Sequence, residues 1–285
     1  MPALKTSASA GGGGSSNYFA QLCVVAWRSA TQLVQRPSHS RRAGAARRLA
    51  RHSLLVSATL GAAILALMYG LDVWEIGLMP PRGTASLWPV RILTDFGKDA
   101  YVLPLLAAML LVVAVAAPAL PPASRSRTLG LGTRLQFLFF AVALPVLAGE
   151  AIKWMVGRGR PFVGGKADAF NFAPFQGTEA FASFPSGHAI TAFALAFAIS
   201  AVWPRVRIAM AVYAIAIAIT RLVLLAHHPS DVVAGALTGL IGAMAVRYWF
   251  AARRLGFAIH SDGEIVPLRS VRGHLKGVAH EASAP

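Results

Sequence analysis

A single cysteine, Cys23, in a chain of 285 residues excludes an internal disulfide and leaves no Cys-rich zinc or redox motif. Charge is nearly as scarce, because only 13% of the residues are Asp, Glu, Lys or Arg, about half the share of a soluble domain. Acidic residues in particular are few, with 11 Asp and Glu against 27 Lys and Arg. What fills the chain instead is apolar, at 56% of residues, and several uninterrupted runs approach the roughly 20 residues that cross a bilayer as helix. The net charge of +16 would otherwise raise nucleic acid as a partner, since clustered Lys and Arg neutralise phosphates. No DNA- or RNA-binding signature accompanies the basic clusters, and they flank apolar runs. No nucleic-acid partner is therefore expected, and the positive-inside bias of membrane insertion accounts for the charge.

Six apolar runs stand out, at about 53–71, 101–120, 135–156, 187–203, 206–226 and 230–250. They predict an all-α fold, an integral membrane bundle of six transmembrane helices, with the membrane domain at 53–250 between tails at 1–52 and 251–285. The first tail holds four successive glycines, Gly11 to Gly14, and a basic stretch with Arg36, Arg41, Arg42, Arg47, Arg48 and Arg51, so it reads as largely disordered. Within it, Asn17 to Trp27 has the pattern of a short amphipathic surface helix, but a mobile segment is the expectation. The arginine pairs also resemble a twin-arginine export signal, although five further spans favour a retained anchor. The second tail, with Arg253, Arg254, Arg269, Arg272 and Lys276, reads as polar. With six spans both termini share one side. Placing them in the cytoplasm puts 19 basic and 3 acidic residues there and leaves 8 of each for the opposite side and its span ends. An external loop at about 157–186 carries Phe162, Phe170, Phe172, Phe175, Phe181 and Phe184. Loops of that length are commonly functional or disordered.

Ionisable residues at span ends are costly and call for a reason. Three groups gather at one predicted side of the membrane. The third span ends in Lys153, and Arg160-Pro161 follows about two helical turns later, with Gly157 and Gly159 placed to bend the chain and bring Arg160 inward. Alone, these cations are as well explained by snorkelling to the interface. Pro185-Ser186-Gly187-His188 opens the fourth span. Ser186 is placed to cap a helix whose first N–H groups point toward an anion, and Gly187 permits close approach of a phosphate. Read alone, this is equally an ordinary cap beside a polar histidine. Arg221, His227 and Asp231 lie where the fifth span gives way to the sixth, and Asp231, four residues after His227, is within reach of its ring. A carboxylate on one ring nitrogen would leave the other free, although such a pair also occurs as a plain structural hydrogen bond. His228 is ambiguous with His227, and only the spacing to Arg221 favours the latter. Independent interfacial belts would not converge on one side. With no paired carboxylates and no cluster of metal-ligand spacing, neither a metal nor another cofactor is expected, and the chemistry indicated is covalent.

These three groups resemble the three-part signature of the type 2 phosphatidic acid phosphatase superfamily, related to glucose-6-phosphatase and the vanadium haloperoxidases. The first motif, Lys, six residues, Arg-Pro, falls on Lys153, Arg160 and Pro161, and Pro-Ser-Gly-His falls on Pro185 to His188. The third, Ser-Arg, five residues, His, three residues, Asp, falls on Arg221, His227 and Asp231, with Thr220 where the family usually has serine. A hydroxyl is kept at that position. The resemblance covers about 53–250 and leaves both tails outside. It implies that His227 attacks phosphorus with Asp231 orienting its ring, and that His188 protonates the leaving alcohol. Lys153, Arg160, Ser186, Gly187 and Arg221 would hold the phosphoryl oxygens.

The function expected on that resemblance is metal-independent hydrolysis of a phosphomonoester or pyrophosphate on a membrane lipid, through a phosphohistidine. Phosphatidate, phosphatidylglycerol phosphate, undecaprenyl diphosphate and lipid A phosphate all qualify as the phosphorylated lipid partner. The site would face the periplasm or exterior from the cytoplasmic (inner) membrane. Phosphotransfer to another alcohol uses the same residues and is separated from hydrolysis by free phosphate release without an acceptor. A transporter or inactive scaffold is the reading from another class, since ionisable groups at broken helices also mark transport pathways.

Overall fold

The computed structural model describes residues 13–161, 163–165, 168–260 and 264–268. Nine α-helices appear among them. They are α1 (Gly13–Val34), α2 (His39–Gly70), α3 (Asp72–Leu78), α4 (Trp88–Asp95), α5 (Asp99–Ala116), α6 (Pro122–Val156), α7 (Gly187–Val202), α8 (Arg207–Val223) and α9 (Pro229–Ala252). Two short antiparallel strands, β1 (Phe257–Ile259) and β2 (Ile265–Pro267), follow. Five helical stretches are long and apolar enough to cross a membrane: Ala46–Gly70, Ala85–Ala119, Pro122–Val156, Pro204–Val223 and Pro229–Ala252. The expected fourth span, α7, is apolar but only 16 residues long. At 1.5 Å per residue that is about 24 Å.

Helix α7 runs through the interior, packed between α6, α8 and α9. Its alanines make this possible, since Ala189, Ala192, Ala194 and Ala198 are fully buried and let neighbouring backbones approach. The α9 partner surface is glycine. A Cβ on Gly235 would lie 2.5 Å from the Ser186 carbonyl oxygen, and one on Gly239 would lie 2.5 Å from that of Ile190. The two glycines, four residues apart, share one face of α9 and set the crossing. Overpacking at such a contact typically costs about 1–3 kcal/mol. Gly239→Ala is accordingly expected to lower the thermal midpoint of the detergent-solubilised protein by several degrees, while Gly61→Ala, which meets no atom within 4 Å, leaves it in place.

Both expected tails depart from their sequence reading. Residues 13–34 form α1, and α2 begins at His39 rather than near residue 53, so the structure draws helix where a largely disordered tail was expected. The Trp249 indole of α9 donates to the Leu33 carbonyl at 3.2 Å, and the Tyr18 hydroxyl donates to the Val115 carbonyl at 2.7 Å. Beyond α9, the chain turns back so that Phe257 and Ile265 are buried in the main core, with the Phe257 and Phe137 rings 4.8 Å apart. Two short apolar runs, Phe257 to Ile259 and Ile265 to Val266, split by a polar turn were too brief a pattern to read as a hairpin. Arg269, Arg272 and Lys276 lie outside the described residues.

The 157–186 loop is laced to itself. Gly157 ends α6 in the left-handed region at φ 56°, where a side chain would strike the Ala173 carbonyl. Arg158 bridges Phe172, Gly159 N–H donates to the Asn171 carbonyl at 2.8 Å, and Ser183 N–H donates to the Arg158 carbonyl at 3.0 Å. Its aromatic residues Phe170, Phe172 and Phe175 remain exposed, and Phe162 lies outside the described residues.

Candidate active site

The N-termini of α7 and α9 lie side by side, tied by the Ser186 N–H donating to the Asp231 carbonyl at 3.0 Å. This juxtaposition brings together motifs separated by some 40 residues of chain. At the start of α7, the backbone N–H groups of the first turn lack intrahelical acceptors. A Cβ on Gly187 would lie 3.1 Å from the Lys153 ammonium nitrogen, so the last turn of α6 delivers a cation to that helix start. The Ser186 hydroxyl and His188 Nε2 are buried with no hydrogen-bond partner, as is Nε of Arg221.

The charged groups acting on the His227 ring are Arg221, Arg160 and Lys153, from α8, the loop and α6. Each has a holder. Arg221 donates to the Thr94 hydroxyl at 2.8 Å, Lys153 pairs with Glu150 at 2.5 Å, and Arg160 pairs with Glu179 at 3.3 Å. Burial first, and these three cations second, hold the His227 imidazole well below its ordinary range and therefore neutral. Its Nδ1 lies 2.8 Å from the Ser183 carbonyl oxygen. A carbonyl only accepts, so Nδ1 carries the ring proton and Nε2 carries the lone pair.

Asp231 does not make the direct bond to His227 that their spacing suggested. Its Oδ2 stands 4.0 Å from Nδ1. Both carboxylate oxygens are engaged elsewhere: Oδ1 accepts from the Arg158 guanidinium at 2.6 Å, and Oδ2 accepts from the Ser183 hydroxyl at 2.6 Å and the His228 N–H at 2.9 Å. The physical reason is that Arg158 and Ser183 are charged or hydroxyl donors already aimed at a fully buried carboxylate. Asp231 thus reaches His227 through Ser183.

Arg158 is the centre of a network that the sequence did not reveal. Its side chain has no solvent exposure and donates to Asp231, to the Ser230 hydroxyl at 2.6 Å, to the Ala169 carbonyl at 2.7 Å and to Asp72 at 2.8 Å. Asp72 also accepts the Ser230 N–H at 3.0 Å. Beside it, Glu75 is buried with both carboxylate oxygens unpartnered, and burial, with Asp72 adding to it, pushes its carboxyl up to about 7. His228 caps α9 with its ring buried, and the charges acting on it are Asp231, Arg158 and Asp72 rather than the cation cluster. Two further groups were missed: Thr94, which holds both Arg221 and Thr220, and Gly97, where a Cβ would lie 3.6 Å from that of His188. Only Asp72 carried a usable signal, as an ionisable residue directly beyond an apolar run.

Residues 134–255, which contain every one of the motif residues, match the sequence model of the PAP2 superfamily. Among curated relatives, a lipid A 1-phosphatase of Rhizobium johnstonii is 39% identical over 127 residues, covering 45% of this chain and 52% of its own. A lipid A 1-phosphatase of Rhizobium etli is 37% identical over 127 residues, covering 45% and 55%. The chain therefore matches about half the length of these relatives. A solved structure, the first transmembrane PAP2 type phosphatidylglycerolphosphate phosphatase from Bacillus subtilis, aligns at 19% identity with a TM-score of 0.38, covering 70% of this chain and 92% of that one.

Proposed function

We propose that the protein is a membrane phosphatase that hydrolyses a phosphomonoester or pyrophosphate on a lipid, through a phosphohistidine on His227. The observation that carries this reading is the seating of His227: Nδ1 lies 2.8 Å from the Ser183 carbonyl oxygen, which leaves the ring lone pair on Nε2, and Arg221, Arg160 and Lys153 act on the ring. Nε2 attacks phosphorus, the bond from phosphorus to the leaving oxygen breaks, and His188 supplies the proton that the leaving alcohol needs. Water then attacks the phosphohistidine, the N–P bond breaks, inorganic phosphate leaves, and the proton lost by water returns to His188. Lys153, Arg160, Arg221, the Ser186 hydroxyl and the Gly187 N–H hold the phosphoryl oxygens through both steps. Asp231 serves as a positioning residue through the hydrogen bond it accepts from the Ser183 hydroxyl.

The relatives' names make a lipid A 1-phosphate the first substrate to test, followed by undecaprenyl diphosphate, phosphatidylglycerol phosphate and phosphatidate. Six spans, with α7 as the short central one, both termini in the cytoplasm and the site at the outer face of the inner membrane fit the basic-residue asymmetry. Purified protein assayed for phosphate release from the four lipids, with glucose 6-phosphate as a soluble control, tests the reading. Release should persist in excess chelator and be inhibited by vanadate occupying the phosphate cradle. A strict requirement for added magnesium contradicts the mechanism, and no release from any of the five contradicts the function.

A further inference from the structure

Asp231 lies closer to His227 than any other carboxylate described in the site, yet it makes no hydrogen bond to the ring. Its Oδ2 is 4.0 Å from Nδ1 and is held by the Ser183 hydroxyl, while Oδ1 is held by Arg158. Arg158 is fixed in turn by Asp72 and Ser230, so the restraint reaches from α3 and the loop into α9. A carboxylate bonded to Nδ1–H favours the imidazolium, whereas a carbonyl orients the ring with much less effect on its charge. An imidazolium has no lone pair with which to attack phosphorus.

We infer that Ser183 and Arg158 are positioning residues that hold the Asp231 carboxylate off His227, so that the ring is oriented by a neutral carbonyl and stays an uncharged nucleophile. The inference rests on the proposed role of His227 and departs from the direct pairing implied by the motif spacing. The groups acting on His227 are Arg221 from α8, Lys153 from α6, Arg160 and Ser183 from the loop, and Asp231 from α9. Those facing Asp231 are Arg158, Ser183 and His228, with Asp72 and then Glu75 behind Arg158. Of the second set, Glu75 titrates near neutrality and would add its own limb to a pH profile.

The test is made in a Glu75→Gln background, which removes that limb. Ser183→Ala deletes the hydroxyl on Oδ2 but keeps the carbonyl that accepts from His227. Asp72→Asn with Arg158→Met releases Oδ1 without leaving two buried carboxylates facing each other. Two readouts are taken on the purified protein. The acidic limb of kcat/KM reports the free-enzyme ionisation of His227, and ¹⁵N-histidine NMR, with the His227 signal assigned by its loss in His227→Ala, reports ring charge without turnover. Both variants should shift the His227 ionisation upward by about one pH unit or more, so that activity is lost sooner as pH falls. A His227 signal that titrates in Ser183→Ala where it does in the Glu75→Gln parent overturns the inference. If the parent shows no turnover on any lipid, the proposed function fails, while the NMR titration still decides whether the carboxylate is being held off. Should the double variant not fold, Ser183→Ala decides alone, since it removes one hydroxyl.

Discussion

His227→Ala is expected to abolish phosphate release from every substrate, by about 10⁴-fold or more in kcat/KM, because no phosphoenzyme forms without the Nε2 lone pair. His188→Ala should behave differently. A general acid contributes about 10²–10⁴-fold where the leaving group is basic and little where it is not. The variant should therefore lose most activity on a lipid phosphomonoester, whose alkoxide needs a proton, and retain far more on p-nitrophenyl phosphate. Arg221 and Lys153 act on the His188 ring as they do on that of His227, so the histidine belongs to the same cluster and the comparison isolates role rather than location. Measuring kcat/KM on both substrate types in both variants gives the contrast. Equal losses on the two substrates by His188→Ala would remove it from leaving-group protonation.

The second large effect is on folding. Arg158→Met alone leaves Asp72 and Asp231, both fully buried, without their shared cation, and breaking a buried ion pair in this way costs about 3–5 kcal/mol. Loss of detergent-stable protein, read as a fall in the size-exclusion monodisperse fraction or a thermal midpoint lower by ten degrees or more, is the expected outcome. Adding Asp72→Asn should restore much of it, because one uncompensated charge is removed. Arg158→Met that is as stable as the parent would mean that the two carboxylates do not depend on Arg158.

The membrane class and most helices were legible because apolar runs of span length leave few alternatives, and the three motifs were legible because phosphate chemistry needs cations, a helix start and histidines together. What lay out of reach was pairing across sequence distance. Asp231 finds Arg158 at 73 residues' separation and Ser183 at 48, while Asp72 meets Ser230 at 158. Spacing along one strand of sequence offered His227 and Asp231 as neighbours, and it was blind to a serine in the preceding loop that occupies the carboxylate first. Arg158 itself sat between two glycines beside the motif arginine, where nothing in the local pattern pointed to a buried hub. The helix at residues 13–34 was hidden by its flanking glycine run, which argued for disorder.

The central claim is covalent catalysis at one named nitrogen, and trapping the intermediate tests it most directly. Protein quenched during turnover of a ³²P-labelled lipid phosphate should carry label that is acid-labile and base-stable, on the peptide containing His227, and the label should be absent from His227→Ala. Label on the peptide containing His188, or full turnover with no trapped phosphoprotein at any quench time, would contradict the account.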